Sequence, residues 1–99
     1  MRKITKDSIN AFLESKPFNK QNMEVEVLLN VTILKLHCNA IAYKYNDPEN
    51  TLSITNCGWF SRTTKERLNG FNSVNINQKN FEWFLNGEKW NGDLIEVKQ

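Results

Sequence analysis

One ten-residue stretch, GWFSRTTKER from Gly58 to Arg67, contains the residue types that could bind an anion or a base. Three cations and two threonine hydroxyls surround a predicted helix start in this stretch. A helix start offers unpaired N–H groups and a positive dipole end, which suit a phosphate. The aromatic pair Trp59-Phe60 could stack on a base. The pattern indicates a nucleotide or nucleic-acid site formed by Trp59, Arg62, Thr63, Thr64, Lys65 and Arg67.

The same letters also describe an ordinary helix start. Thr63 followed three residues later by Glu66 has the spacing of a capping box. In this alternative Trp59 enters the core and the cations are solvated. Capping boxes are far commoner than ligand sites, so the residues alone favour the structural alternative, and the binding site stays a hypothesis.

Patterns of catalytic or metal-binding residues are not recognisable in the sequence. His37 is the only histidine, and Cys38 next to it would point to the opposite face of a strand. One histidine and two distant cysteines do not have the spacing of a metal site. We therefore expect a non-enzymatic protein with no cofactor or metal, in which Cys38 and Cys57 are free thiols.

The composition is that of one small domain with little net charge. The chain has 99 residues, 39% of them hydrophobic, and its 13 basic and 11 acidic residues give a formal charge of +2. We expect a single domain over residues 1–99. Such a charge permits contact with nucleic acid without requiring it. No apolar stretch is long enough to span a membrane, and no signal peptide is recognisable, so we expect a cytoplasmic location and no membrane contact.

The first predicted helix begins near the N-terminus. Thr5 is the expected N-cap, because its hydroxyl can accept a hydrogen bond from the first turn. Ile4 and Ile9 have the spacing of a hydrophobic staple, and Asp7 would suit the positive end of the helix dipole. Pro17 is expected to stop the helix.

The second predicted helix repeats the letters of the first. TKDSINAF begins at Thr5 and TKERLNGF at Thr64, with four identities and three conservative exchanges in eight positions. The exchanges respect capping and burial, so shared folding requirements explain most of the likeness, and an ancient duplication stays open as the alternative. Asn69-Gly70 is the expected left-handed end of this helix.

Residues 23–36 alternate with the period of a β-hairpin. A turn at Leu29-Asn30 would place Met23 opposite Leu36 and Val25 opposite Leu34 on an inward face. The outward face then pairs Glu24 with Lys35, which is favourable. The agreement of inward and outward partners predicts this register, because a one-residue slip would invert the faces.

A second turn at Cys38-Asn39 is expected to continue the meander. It would set Leu36 against Ile41 and Leu34 against Tyr43, so that Tyr43 and Tyr45 share the inward face and belong to the core. After a turn around Pro48, the letters TLSIT predict a fourth strand with Leu52 and Ile54 inward.

The C-terminal part predicts a second meander. VNINQ and FEWFL would pair around Lys79-Asn80. The dipeptide Asn86-Gly87 is a strong hairpin signal and brings Trp90 opposite Trp83. On the opposite face, Phe84 stands beside Lys89, and this aromatic on a polar face suggests a partner surface or an oligomer interface. The inward side is expected to hold Val74, Ile76, Phe81, Trp83 and Leu85, and Leu94 to Val97 is a possible last strand.

The sequence resembles small proteins of tailed bacteriophages. The resemblance rests on N-x-G-W-x-S-x-T-T-K-x-R-L-N from Asn56 to Asn69, on His37-x-Asn39-x-Ile41-Ala42, and on Gln78 followed by W-x-L-N-G and W-x-G. It implies a phage origin and a shared fold, but no particular activity. Together with the cytoplasmic location expected from the composition, a phage origin predicts a location in the host cytoplasm. Such proteins tend to have Gly in place of Cys38 and Ala in place of Cys57, so the turn at Cys38 is expected to differ in type or length.

These observations predict an α+β fold of two short helices packed on antiparallel β-meanders, in the order α-ββββ-α-ββ(β). The leading hypothesis is a non-enzymatic phage accessory protein that binds nucleic acid or a nucleotide through the Arg62–Arg67 helix start. The alternatives are a host-takeover or anti-defence protein that binds a host protein through Phe84 and Lys89, and a virion or assembly component. A homo-oligomer is compatible with all three.

Overall fold

The two helices pack on antiparallel sheets, and the predicted α+β fold class is confirmed. The computed structural model describes residues 2–98. Strand β1 was not predicted, whereas the short strand β8 after the predicted Asn86-Gly87 turn and the predicted last strand are both present. The elements are α1 (Lys3–Leu13), β1 (Phe18–Lys20), β2 (Met23–Val27), β3 (Val31–Leu36), β4 (Asn39–Tyr45), β5 (Leu52–Ile54), α2 (Arg62–Leu68), β6 (Ile76–Lys79), β7 (Glu82–Leu85), β8 (Glu88–Lys89) and β9 (Ile95–Val97).

The strands within residues 2–98 form two sheets. A six-stranded sheet has the order β1-β2-β3-β4-β5-β9, and a three-stranded sheet has the order β6-β7-β8. The last strand therefore leaves the C-terminal meander and returns to the large sheet, where it pairs antiparallel with β5. This return ties the two halves of the chain together.

Helix α1 begins three residues earlier than predicted. Its N-cap is Arg2, which makes no side-chain capping bond, and Ile4 and Thr5 are buried inside the helix. The predicted N-cap at Thr5 and the staple from Ile4 to Ile9 are therefore wrong. The hydroxyl of Thr5 instead donates to the carboxylate of Glu66, at 2.6 and 2.8 Å. A tertiary partner thus replaces the local capping role.

The first hairpin has the predicted register. Met23 pairs with Leu36, Val25 with Leu34 and Glu24 with Lys35, and the four apolar residues are buried. The ammonium of Lys35 lies 2.8 Å from the carboxylate of Glu26, which is diagonal to it on the same face.

The second hairpin differs from its prediction by one residue. Its turn residues are His37 and Cys38, with φ angles of 50° and 67°, and the register shifts between Leu34 and Lys35. Leu34 faces Ala42 and Ile33 faces Tyr43, so the predicted pairs of Leu34 with Tyr43 and Leu36 with Ile41 are wrong. The bulge gives β4 an extra residue and inverts the face of everything beyond it.

The two tyrosines consequently lie on the outer face of the large sheet. Tyr43 is half-buried, Tyr45 is exposed, and their rings stack with centroids 6.3 Å apart. The prediction that they belong to the core is wrong. Ile41 and Ala42 are both buried in their place, because the bulge directs two successive residues inward.

Helix α2 also has a different cap from the predicted one. Ser61 is the N-cap, and its hydroxyl accepts a hydrogen bond from the amide of Thr64 at 3.1 Å. The predicted capping box of Thr63 with Glu66 is therefore wrong, since the helix begins at Arg62. Asn69 at the other end has a right-handed φ of −67°, so the predicted left-handed stop is wrong as well.

Gly70 is required for close packing. A Cβ atom at this position would lie 2.3 Å from Cδ1 of Ile9 and 2.8 Å from Cγ2 of Thr5. The segment after α2 can therefore approach α1 only because residue 70 has no side chain. This contact brings the two repeats together, and Phe12 and Phe71, which occupy the same repeat position, pack edge to face at 5.6 Å.

The small sheet keeps its predicted faces through a different turn. The turn residues are Asn80 and Phe81, and the pairs are Ile76 with Leu85 and Gln78 with Trp83. The register moves by two residues, which preserves the face of each side chain. Phe81 alone is displaced: it was predicted inward, but it stands at the tip of the turn and is 96% exposed.

The hairpin at Asn86-Gly87 is confirmed. Both residues have positive φ angles, and Trp90 donates its amide to the carbonyl of Trp83 at 3.0 Å. The two indole rings lie 6.3 Å apart in the core.

The packing at Gly70 generates a stability prediction. We expect Gly70→Ala to lower the free energy of unfolding by about 2 kcal/mol, because overpacking forces neighbours apart. Ile9→Val removes the clashing Cδ1 atom, so the double variant should lose less stability than the sum of the two single variants. Urea denaturation of all four proteins measures this. Additive losses would show that Ile9 and Gly70 do not press on each other.

Candidate functional site

A cavity of about 300 Å³ lies between the β3–β4 hairpin and the residues that lead into α2. The hairpin contributes two apolar and two polar side chains, and the second wall carries an indole ring and hydroxyl groups. We call this cavity the hairpin pocket. Its lining residues are Leu36, His37, Asn39, Ile41, Trp59, Ser61, Thr63 and Thr64.

Asn56 positions the second wall of the hairpin pocket. This buried residue accepts hydrogen bonds from the amide of Trp59 at its carbonyl and from the amide of Gly58 at its side chain, both at 2.8 Å. Cys57 and Gly58 have φ angles of 53° and 81°, so the chain turns sharply. The turn leads the chain away from β5 and places Trp59 opposite the β3–β4 hairpin.

Cys57 attaches the same turn to strand β4. Its thiol donates to the carbonyl of Ala40 at 2.6 Å, and burial raises the pKa of the thiol above its ordinary value. The thiol is therefore kept protonated and acts as a hydrogen-bond donor. Both cysteines are free, as predicted.

Three of the predicted site residues lie at or beside the hairpin pocket and face solvent in part. Trp59 is 58% exposed, so the alternative that placed it in the core is wrong. Thr63 is half-buried in the wall, and Arg62 is exposed next to it. Lys65 is half-buried, and its ammonium donates to the side chain of Gln78 at 3.1 Å.

Thr64 is present in the wall but is already engaged. It is buried, and its hydroxyl lies 2.9 Å from that of Ser61, which also accepts its amide. The first turn of α2 therefore satisfies part of its own hydrogen-bonding capacity. Fewer N–H and hydroxyl groups of this helix start are therefore available to bind an anion than the sequence predicted.

Arg67 does not belong to the surface site. It is 2% exposed, and its guanidinium donates to the hydroxyl of Thr5 at 3.0 Å, to the carboxylate of Glu66, and to the side-chain oxygen of Asn22 at 3.2 Å. A ligand in the hairpin pocket cannot reach this group. The structure thus removes Arg67 from the predicted set and assigns it to the interior.

Glu66 is the anionic partner in this interior cluster. Burial raises the pKa of its carboxyl group, but the hydrogen bonds from Thr5 and Arg67 and the charge of Arg67 outweigh burial and lower the pKa below its ordinary value. We call Thr5, Asn22, Glu66 and Arg67 the arginine cluster. It joins α1, the β1–β2 turn and α2.

The two residues predicted for a protein interface lie on the outer face of the small sheet. Phe84 is half-buried and pairs with Lys89, as expected, and with Asn77 on its other side. Lys89 is exposed and lies 3.0 Å from the carboxylate of Glu82. Their role in binding a partner stays a prediction.

Sequence reasoning missed the polar residues of the hairpin. In the sequence, His37 belongs to no catalytic or metal-binding pattern, and Asn39 has the role of a turn residue. The available signal was that both belong to one of the motifs that carry the phage resemblance. The structure brings this motif and the Trp59–Thr64 motif together at one cavity.

A family model described as Kyanoviridae Gp96 protein matches residues 1–96. The chain belongs to this family. The expected phage origin is thereby confirmed. Comparisons with curated proteins and with solved structures gave no match. Neither helix within residues 2–98 has the length and apolar character needed to cross a membrane.

The arginine cluster generates a pH prediction. The pKa of Glu66 is lower in the folded protein than its ordinary value of 4.5, so the charged form stabilises the fold above that value. This contribution is lost as the pH falls through the folded pKa. We therefore expect Glu66→Gln to be clearly less stable than the wild type at neutral pH and nearly equal to it in strong acid. Glu88→Gln on β8, an exposed position, is the matched control.

Urea denaturation at a series of pH values measures the difference between the wild type and Glu66→Gln. A gap that stays constant from neutral to acid pH would contradict the ionic role of Glu66.

Proposed function

We propose that this phage-family protein binds a nucleotide, or a base of a single-stranded nucleic acid, in the hairpin pocket. The observation that carries the proposal is the exposed indole of Trp59 on the wall of a cavity that also presents polar side chains. Every base has a π-face, and stacking on an aromatic side chain contributes about 1–3 kcal/mol per base.

The polar lining supplies partners for the edge of a base. The side chain of Asn39 offers its carbonyl oxygen and one N–H, since its NH₂ group already donates to the carbonyl of His37 at 3.3 Å. The imidazole of His37 and the hydroxyl of Thr63 add further hydrogen-bonding capacity. Leu36 and Ile41 supply the apolar contact that a ring also needs. A cavity of about 300 Å³ is at the small end for ligand pockets, which suits one base and its sugar.

The phosphate would lie towards Arg62 and Lys65. These residues line an open cleft on α2 with Glu66 and Asn69, and Arg62 is the neighbour in sequence of the pocket residue Thr63. Two cations, one of them already hydrogen-bonded to Gln78, neutralise few phosphates. We therefore expect affinity that falls only gently with salt.

The central test is substitution of the indole. We expect Trp59→Ala to weaken binding of nucleoside monophosphates and short homopolymeric oligonucleotides by about tenfold or more, because the stacking surface is lost. Trp59→Phe should retain part of the affinity. Phe60→Ala is the matched control, since this neighbouring aromatic is also exposed but packs on Trp83 instead of lining the pocket.

Chemical-shift perturbation with each nucleotide and fluorescence anisotropy with each oligonucleotide measure the affinities. Repeating the titrations at several salt concentrations tests Arg62→Ala, which should reduce the salt slope by about one counterion. The proposal is abandoned if no nucleotide or oligonucleotide shifts the signals of the pocket, or if Trp59→Ala and Phe60→Ala have the same effect.

A further inference from the structure

Strand β9 forms one edge of the large sheet and is paired on one side only. Ile95, Glu96 and Val97 face Ile54, Ser53 and Leu52 of β5. No strand within the described residues lies on the other side of β9. An edge of this kind presents main-chain groups that a further strand can pair with.

The hydrogen bonds of β5 show which groups of β9 face outward. On either side of β5, Thr55 donates its amide to the carbonyl of Ile41, and the carbonyl of Thr51 accepts from the amide of Tyr45, both at 2.9 Å. The main-chain groups of these two flanking residues therefore point towards β4. The main-chain N–H and C=O groups alternate in direction along an antiparallel strand, so those of Leu52 and Ile54 point towards β9. The main-chain groups of their partners Val97 and Ile95 point towards β5. The N–H and C=O groups of Glu96, which lies between them, therefore face the open edge.

The two edges of the large sheet are protected to different degrees. Strand β1 directly follows Pro17 and is followed by Gln21, whose φ of 56° breaks the extended backbone. Strand β9 carries no proline, bulge or inward-pointing charge, which are the usual protections of an edge. Leu94 and Ile95 beside it are 55% and 41% exposed.

We propose that β9 pairs antiparallel with β9 of a second copy of this chain, about a two-fold axis that passes next to Val97. Glu96 then lies opposite Lys98 of the second copy, and Lys98 opposite Glu96. Both residues are exposed in the single chain. The outward main-chain groups of Glu96 meet those at position 98, so hydrogen bonds form on either side of the axis.

Charge selects this register over its neighbours. An axis at Glu96 would place that carboxylate opposite its own copy, which is destabilising, and an axis at Ile95 would place Glu96 opposite Leu94. Only the axis at Val97 pairs opposite charges twice. The two large sheets then join into one continuous sheet across the two copies.

The expected dimer is weak and sensitive to salt. A strand of three residues provides a small interface, at the low end of those found between proteins, and exposed ion pairs are screened by salt. The interface uses none of the residues that line the hairpin pocket, so it is independent of the proposed nucleotide site.

Charge reversal tests the register. Glu96→Lys places two like-charged pairs across the axis, and Lys98→Glu does the same with the opposite sign, so each variant should be monomeric where the wild type dimerises. An equimolar mixture of the two variants should dimerise again, because each introduced charge meets its opposite. Glu88→Lys and Lys79→Glu make the same charge changes on the small sheet and should dimerise as the wild type does.

Sedimentation velocity of the full chain, from about 10 μM to about 1 mM at low salt, measures the four variants, the mixture and the wild type. Recovery of the dimer in the mixture supports the pairing and shows that both variants are folded. The proposal is overturned by a wild type that stays monomeric at the highest concentration, by single variants that dimerise normally, or by a mixture that stays monomeric.

Discussion

The burial of one guanidinium group constrains how the two helices of this structure pack together. Arg67 is enclosed almost completely, and a buried cation is tolerated only when it is paired and hydrogen-bonded. Its partners Thr5, Asn22 and Glu66 come from three separate parts of the chain. Satisfying one charge therefore sets the position of α1 relative to α2 and to the β1–β2 turn.

The candidate site depends indirectly on the burial of Arg67. Arg67 and Leu68 hold the last turn of α2 in the interior, and Ser61 caps its first turn. With the helix held at both ends, the segment that precedes it has little freedom, and Asn56 directs Trp59 across the β3–β4 hairpin. The exposed indole is thus supported by buried contacts on either side of it.

The two similar octapeptides, TKDSINAF from Thr5 and TKERLNGF from Thr64, bury the same repeat positions. Thr5, Ile9 and Phe12 are buried in the first, and their counterparts Thr64, Leu68 and Phe71 are buried in the second. The repeats face each other through the Phe12–Phe71 contact and through the space left at Gly70. Shared packing requirements account for the shared letters, which is why the likeness concerns folding and not a repeated binding surface.

The sequence by itself determined the fold class, the register of the β2–β3 hairpin and the turn at Asn86-Gly87, because alternation and turn preference depend on residues close together in the chain. Only the tertiary structure decided the helix caps, the bulge that moved Tyr43 outward, the burial of Arg67 and the pocket beside Trp59. The earlier start of α1, the burial of Arg67 and the pocket depend on partners far away in sequence. The local sequence around a threonine or an arginine does not show whether its side chain will bind water or a carboxylate from a distant part of the chain.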